Sequence, residues 1–403
     1  MNPLKILLLS CVSLVLLSFS SKLSAQNIKR LDGSSIRFDQ LDHTIKGLMD
    51  TAKVTGLSVA VFNKDKPVYI KSYGYADLSA QKKMDTATIY WSCSLSKAVF
   101  AYTVLKMVDK GVINLDTPLV QYLKKPLYEY AFTKKSRGYQ DIKEDKRYER
   151  ITARMCLNHT TGLPNYRGFE TDGKLRIKYD PGTRYSYSGE GMYLLQFVLE
   201  QITGKDFETI AQEETFHPLL MKNSSYVWQE VFDKDYCVGH DSLQKPYEFD
   251  KRTSPHSAGS MYTTINDFST FFTALLQQKG LSKKSSHEMF SPQVPILSKQ
   301  QFGPNALVDD KTISNTKIFY GLGVGLLKTP CGYAFFKEGH SEGWGHYAIG
   351  FPEKGIGIII MTNSDNGEGI YKSLMEAAIG NDYTPWYWEN YTPFDQKQNT
   401  TGK

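Results

Sequence analysis

Apolar residues recur every three or four positions over residues 39–53. Leu41, Ile45, Leu48, Met49 and Ala52 make one stripe there, which predicts a helix ending at Gly56. The period then changes to two. Residues 57–62 and 67–75 are apolar or alternating and are joined by Asn63-Lys64-Asp65-Lys66, which predicts a β-hairpin. A second helix is expected over residues 94–110, with Leu95, Val99, Tyr102, Leu105 and Val108 buried and Gly111 just past its end. Residues 192–202 repeat the helical pattern before Gly204, and a further helix is expected to start near Asp206. From Tyr320 the pattern returns to strands, at 320–328, 333–339, 345–351 and 355–362, followed by a closing helix over 370–379.

Strands at both ends of the chain around a helical middle imply an α/β (α+β) architecture. One antiparallel sheet flanked by helices would be built from about residues 26–90 and 315–385, beside a mainly helical subdomain over about 91–314. Residues 127–149 are charged and aromatic and are expected to form a solvated insertion. Residues 386–403 turn from aromatic to polar and read as a C-terminal tail.

The first 25 residues stand apart from this domain. Lys5 precedes an apolar run broken only by Ser10 and Ser13, and small polar residues then lead to Leu23-Ser24-Ala25. This is the pattern of a secretory signal peptide cleaved after Ala25, too short and too interrupted for a spanning helix. An exported protein, periplasmic or secreted, with no stable membrane span is therefore expected.

Composition adds exclusions. The 403 residues include 48 Lys+Arg against 42 Asp+Glu, and 41% are hydrophobic, ample for a core and far from disorder or a small disulfide scaffold. Losing Lys5 and Lys22 with the leader leaves 46 basic against 42 acidic residues, a charge of +4, spread without the long basic run a nucleic-acid partner would need. The remaining cysteines, Cys93, Cys156, Cys237 and Cys331, show neither CxxC nor zinc-ligand spacing and are expected as buried free thiols. No HExxH is present, and Gly321-Leu322-Gly323-Val324-Gly325 lacks the rest of a dinucleotide fingerprint, so neither metal nor cofactor is expected.

An activated nucleophile is the remaining chemistry. Ser94-Leu95-Ser96-Lys97 places a hydroxyl and an amine three residues apart on one helix face, where a buried amine of lowered pKa can take the serine proton. Ser79-Lys82, Ser242-Lys245 and Ser314-Lys317 share the spacing but lie in polar turns, whereas Ser94 opens a long amphipathic helix. Tyr187 follows the Pro181-Gly182 turn and precedes the 192–202 helix, so its hydroxyl can face a cleft as acid or base. Glu338-Gly339-His340-Ser341-Glu342-Gly343 lies between two strands. It also spells G-x-S-x-G, but strand-like sequence follows Ser341 where a nucleophile elbow needs a helix. His159, in an apolar context, and Cys93, beside the nucleophile, are expected to be packing residues.

Taken in order, these motifs resemble the serine hydrolases related to class C β-lactamases and DD-peptidases. Ser94-x-x-Lys97 is similar to the first family motif, Tyr187-Ser188-Gly189 stands where Tyr-x-Asn is usual, and His340-Ser341-Glu342 stands where Lys-Thr-Gly or His-x-Gly is usual. Leu157 to Leu163, Pro181-Gly182-Thr183, Pro218 to Met221 and Met361-Thr362-Asn363 agree in kind, and the likeness runs from about Leu41 to Ile379. The resemblance implies that Ser94 forms an acyl-enzyme while Lys97 and Tyr187 share the proton transfers. It further implies that His340 lines the cleft and that the backbone N–H groups of Ser94 and Gly343 make the oxyanion hole. Gly189 lacks the family's side-chain amide, with Glu190 as the polar group beside it. Glu342 replaces a glycine and is expected to narrow the cleft, meet a cationic substrate or turn to solvent. His340 attracts a substrate carboxylate less than a lysine would.

Three readings follow: a hydrolase acting on an ester, amide or peptide bond of a small molecule or peptide; a catalytically weak relative that binds or senses acylated or peptidoglycan-type ligands; or a true β-lactamase. The oligomeric state is left open.

Overall fold

The computed structural model describes residues 26–133 and 136–396. The expected leader with Cys11, the Lys134-Lys135 pair and the last residues of the tail lie outside the described residues.

Nine antiparallel strands make the central sheet. In chain order they are β1 (Gly56–Asn63), β2 (Lys66–Asp77), β3 (Lys82–Lys83), β4 (Val294–Pro295), β5 (Ile318–Tyr320), β6 (Gly325–Thr329), β7 (Gly332–Ser341), β8 (Trp344–Phe351) and β9 (Ile356–Thr362). Their spatial order is β4-β5-β6-β7-β8-β9-β1-β2-β3. The two ends of the chain join at the β9–β1 seam, where Thr362 faces Leu57 and Gly357 faces Phe62.

Alternation gives the central strands two buried faces. Val59, Val61, Ile358 and Ile360 pack in one layer with α1 (Phe38–Ala52) and the closing C-terminal helix Tyr371–Ile379. Ala60, Phe62, Ile359 and Met361 pack on the other side with α2 (Ser96–Asp109) and the helix Ile265–Leu276. That last helix falls in the stretch expected for the helical subdomain but lies on the sheet, against β1, β2 and β9. Because both faces are covered, the strands read as near-continuous apolar runs.

The strand expected over 320–328 is divided between β5 and β6. Gly321 and Gly323 lie between them, and a Cβ on Gly323 (φ +80°) would fall 2.1 Å from the Ala101 Cβ of α2. The sheet opens here to let α2 approach, which fixes the height of Lys97 above it. The 127–149 stretch is likewise more integrated than a solvated insertion, since Tyr139, Ile142 and Tyr148 are buried in the core.

The C-terminal segment departs most from expectation. Trp388 is fully buried, with its ring against Tyr185 and Phe336 and its Nε1 donating to Ser298 Oγ at 3.2 Å. An aromatic stretch this apolar gains more by covering the sheet than by staying in water. Trp388→Ala is expected to cost about 3–5 kcal/mol of stability, read as a lower urea midpoint with unchanged slope.

Candidate active site

A single 3₁₀ turn, Cys93–Leu95, carries Ser94 into the start of α2. Cys93 is in the left-handed region (φ 49°) with its thiol buried, which turns the chain so that Ser94 faces a cavity of about 1640 Å³. Lys97 is one helical turn on and fully buried, and its Nζ donates to Ser94 Oγ at 3.0 Å and to the Ala258 carbonyl at 2.6 Å. Burial pushes the Lys97 ammonium well below its ordinary pKa, and the charge of Lys337 pushes the same way.

Tyr187 comes from the loop before the helix Gly189–Thr203, where Ser188 is the N-cap and accepts from the Gly191 N–H. Its ring lies on His159, centroids 4.4 Å apart, and His159 Nδ1 accepts from the Ser188 N–H at 3.1 Å. His159 therefore packs and orients the tyrosine loop. Lys97 Nζ stands 4.8 Å from the centre of the Tyr187 ring, and the phenol is also within hydrogen-bonding reach of the Ser94 side chain. Burial, reinforced by Glu338, raises the phenol well above its usual pKa, while the contact with Ser94 pulls the other way.

The residue the sequence reading missed is Lys337. It is buried on β7 and its Nζ donates to the Tyr187 hydroxyl at 3.1 Å and to Glu338 Oε1 at 2.9 Å. Burial lowers the Lys337 pKa and Glu338 opposes that fall. Gln301 Nε2 holds the same Glu338 oxygen at 2.7 Å. The signal was a lysine in the middle of an apolar strand, in Lys337-Glu338-Gly339, itself a Lys-x-Gly three residues before His340-Ser341-Glu342. Assigning the third motif to His340 thus overlooked a lysine that is present. Glu389 was also missed, being placed in the tail. Its buried carboxyl accepts from the Tyr347 hydroxyl at 2.7 Å, and burial with nearby Glu338 raises its pKa strongly.

β7 explains how the two halves of the site meet. Thr329 faces Gly332 and Ser341 faces Trp344 across two-residue turns. The bonded pairs therefore put odd-numbered β7 residues toward β8 and even-numbered ones toward β6. β6 stops opposite Phe336, so beyond it the backbone N–H groups of Glu338 and His340 face an edge against which the Ser94 turn packs. A Cβ on Gly339 would fall 2.8 Å from the Ser92 carbonyl, so only glycine permits this approach.

The other expected residues take less direct positions. The His340 ring is more than half exposed at the cavity wall and pairs with Glu368, which raises its pKa. Glu342 is exposed on the turn at the cavity rim. Gly343 (φ +76°) gives its N–H to Asp365 Oδ1, so that donor is committed elsewhere and not to an oxyanion. The Gly189 N–H donates to Asn165 Oδ1 at 3.2 Å, and a side chain at 189 would collide with the Asn165 carbonyl. Glu190 does not face substrate: it is 1% exposed and pairs with Arg137 at 3.1 Å and Arg167 at 2.9 Å. All four cysteines among the described residues are free and buried.

A wide antiparallel sheet flanked by helices, with a Ser-x-x-Lys at the start of one of them, defines the β-lactamase and penicillin-binding-protein class of fold. A family model described as Beta-lactamase matches residues 41–378. The chain belongs to the β-lactamase family. It is 22% identical over 352 residues to penicillin-binding protein 4* of Bacillus subtilis (strain 168), covering 77% of this chain and 68% of the relative. Among solved structures it is similar to the octameric penicillin-binding protein homologue from Pyrococcus abyssi (TM-score 0.69, 20% identity, 88% of this chain and 80% of that one). It is also similar to EstCE1, a hydrolase with promiscuous acyltransferase activity (TM-score 0.66, 17% identity, 85% and 98%).

Glu190→Gln separates a structural from a substrate-binding role. It leaves two guanidiniums facing a neutral amide and is expected to lower stability by about 1–3 kcal/mol, read by urea unfolding, while fluorophosphonate labelling of the folded protein persists.

Proposed function

We propose that this chain is an exported serine hydrolase that cleaves an ester, amide or peptide bond through an acyl-Ser94 intermediate. The observation that carries the reading is the desolvated Lys97 amine held 3.0 Å from Ser94 Oγ. An amine whose charged form is disfavoured is free to accept the serine proton, which makes Lys97 the acylation base. As Ser94 Oγ bonds to the substrate carbonyl carbon, its proton passes to Lys97 Nζ and the carbonyl oxygen takes up negative charge. We assign the oxyanion donors to the backbone N–H groups of Ser94 and His340, because the register turns the latter toward the Ser94 turn while Gly343 is occupied.

Collapse of the tetrahedral adduct breaks the bond to the leaving group, which takes a proton from Tyr187. The phenol suits this role as an acid, since burial keeps it protonated and Lys337 at 3.1 Å stabilises the phenolate that forms. Water then attacks the acyl-enzyme and gives its proton to the Tyr187 phenolate, the bond from the acyl carbon to Ser94 Oγ breaks, and Oγ takes back the proton held on Lys97. The complete Ser94, Lys97, Tyr187 and Lys337 set favours an active enzyme over a ligand-sensing relative. The leader-like first 25 residues support export.

Purified protein is expected to react with a fluorophosphonate probe and turn over short acyl p-nitrophenyl esters, and Ser94→Ala to do neither. Equal labelling of wild type and Ser94→Ala, with no turnover, would sink the nucleophile assignment. Labelling by fluorescent penicillin and turnover of a chromogenic cephalosporin would instead place it with the β-lactamases. Because the base is a neutral amine, kcat/KM is expected to fall as pH drops through the Lys97 ionisation, with a midpoint below the ordinary lysine value of 10.5. Lys97→Met is expected to lower kcat/KM by about 10²–10⁴ and abolish that limb.

A further inference from the structure

Gly189 is bare because neighbouring residues use its space. Residues 163–166 run beneath the start of the Gly189–Thr203 helix, where Ser188 Oγ donates to the Pro164 carbonyl and the Glu190 N–H to the Asn165 carbonyl, both at 3.1 Å. This loop is thereby fixed to the residues just after Tyr187. A Cβ at 189 would fall 2.6 Å from the Asn165 carbonyl oxygen and 3.2 Å from Cε1 of Tyr166, so the Tyr166 ring lies against the bare glycine.

The other end of that ring reaches the nucleophile turn. A Cβ built on Gly259 would meet the Tyr166 hydroxyl at 3.7 Å and the Cys93 carbonyl oxygen at 3.8 Å, so the phenol stands beside the residue that leads into Ser94. Phe169 meets the ring edge-on at 5.3 Å between centroids and Tyr193 lies at 6.1 Å. Gly189, Phe169 and Tyr193 together hold the ring in place.

Only the oxygen of this hydroxyl has a protein partner. Tyr193 is within hydrogen-bonding reach; burial raises the Tyr166 pKa and the Tyr193 contact lowers it, so Tyr193 gives the hydrogen and Tyr166 receives it. Arg137, 4.5 Å over the Tyr193 ring, strengthens that donor. Among the described residues no group accepts the hydrogen of Tyr166 itself. The residue lines the cavity with Ser94 and Tyr187, so that hydrogen is offered to whatever enters.

We infer that Tyr166 touches the substrate and donates its hydroxyl hydrogen to an uncharged oxygen, an ether, hydroxyl or carbonyl, that the substrate carries outside its scissile group. This rests on the hydrolase reading and adds a specificity residue to it. Proton transfer stays with Tyr187, whose hydroxyl meets Lys337. A donor already positioned in a closed cavity is left unpaired when a methylene faces it, so the oxygen-bearing substrate is preferred.

Two pairs of esters read the site by pH-stat, each pair differing only by an oxygen in place of a methylene. Ethyl methoxyacetate and ethyl butanoate carry the difference on the acyl half, and 2-methoxyethyl acetate and butyl acetate on the alcohol half. Within a pair, dividing the wild-type ratio of kcat/KM by the Tyr166→Phe ratio cancels the intrinsic reactivity of the esters. Tyr166→Phe keeps the ring against Gly189 and removes only the hydroxyl, and unfolding curves check that it folds. It is expected to lower the oxygen-to-methylene ratio about three- to ten-fold in one of the pairs, chiefly through KM. The pair that responds assigns the oxygen to the acyl or the alcohol half.

A purely structural hydroxyl would slow both members of each pair alike. Unchanged ratios in both pairs, with the esters still turned over and Ser94 still labelled by fluorophosphonate, overturn the inference and leave the hydrolase reading standing. No turnover and no labelling of wild type overturn the hydrolase reading and the inference with it.

Discussion

The site depends on placing two lysine amines around one tyrosine in a space that cannot hold two unscreened positive charges. Lys97 approaches the ring of Tyr187 and Lys337 its hydroxyl, both inside the protein. Only one has a carboxylate: Glu338 meets Lys337 at 2.9 Å, whereas Lys97 has a serine and a carbonyl. Desolvation therefore falls unequally. Burial lowers the pKa of both amines, but Glu338 opposes the fall at Lys337, and Lys97, which meets no carboxylate, is driven further toward the neutral amine. The division of labour between the two follows from where the single carboxylate stands.

The rest of the fold maintains that asymmetry. The glycines between β5 and β6 let α2 settle close to the sheet, Gly339 lets β7 pass beside the Ser94 turn, and β6 ends early so that the edge of β7 is free there. His159 and Trp388 pack the tyrosine loop from behind. Glu190, with its two arginines, ties the start of the helix after Tyr187 to the Arg137 and Arg167 loops.

Much of this was legible along the chain. Hydrophobic periodicity located α1, α2, the 56–77 hairpin and the C-terminal strands to within a few residues, because these segments bury a regular face. The Ser-x-x-Lys spacing was readable since a helix converts three residues into one turn. Lys337 was not, because a lysine on a strand looks the same whether its amine is in water or against a buried phenol. Glu190 and Glu389 were misread for the reverse reason. Their partners come from residues 137, 167, 347 and 338, distant in sequence, and no local pattern announces them.

The sequence by itself determined the element order and the Ser94–Lys97 unit, which follow from periodicity or spacing within one segment, and the strands at both chain ends left one shared sheet as the way to bury them. Tertiary structure alone decided which lysine has a carboxylate beside it, which backbone N–H faces the Ser94 turn and which carboxylates are buried against arginines. Those properties depend on burial and on partners tens to hundreds of residues apart, and they exist only once the chain has closed around them.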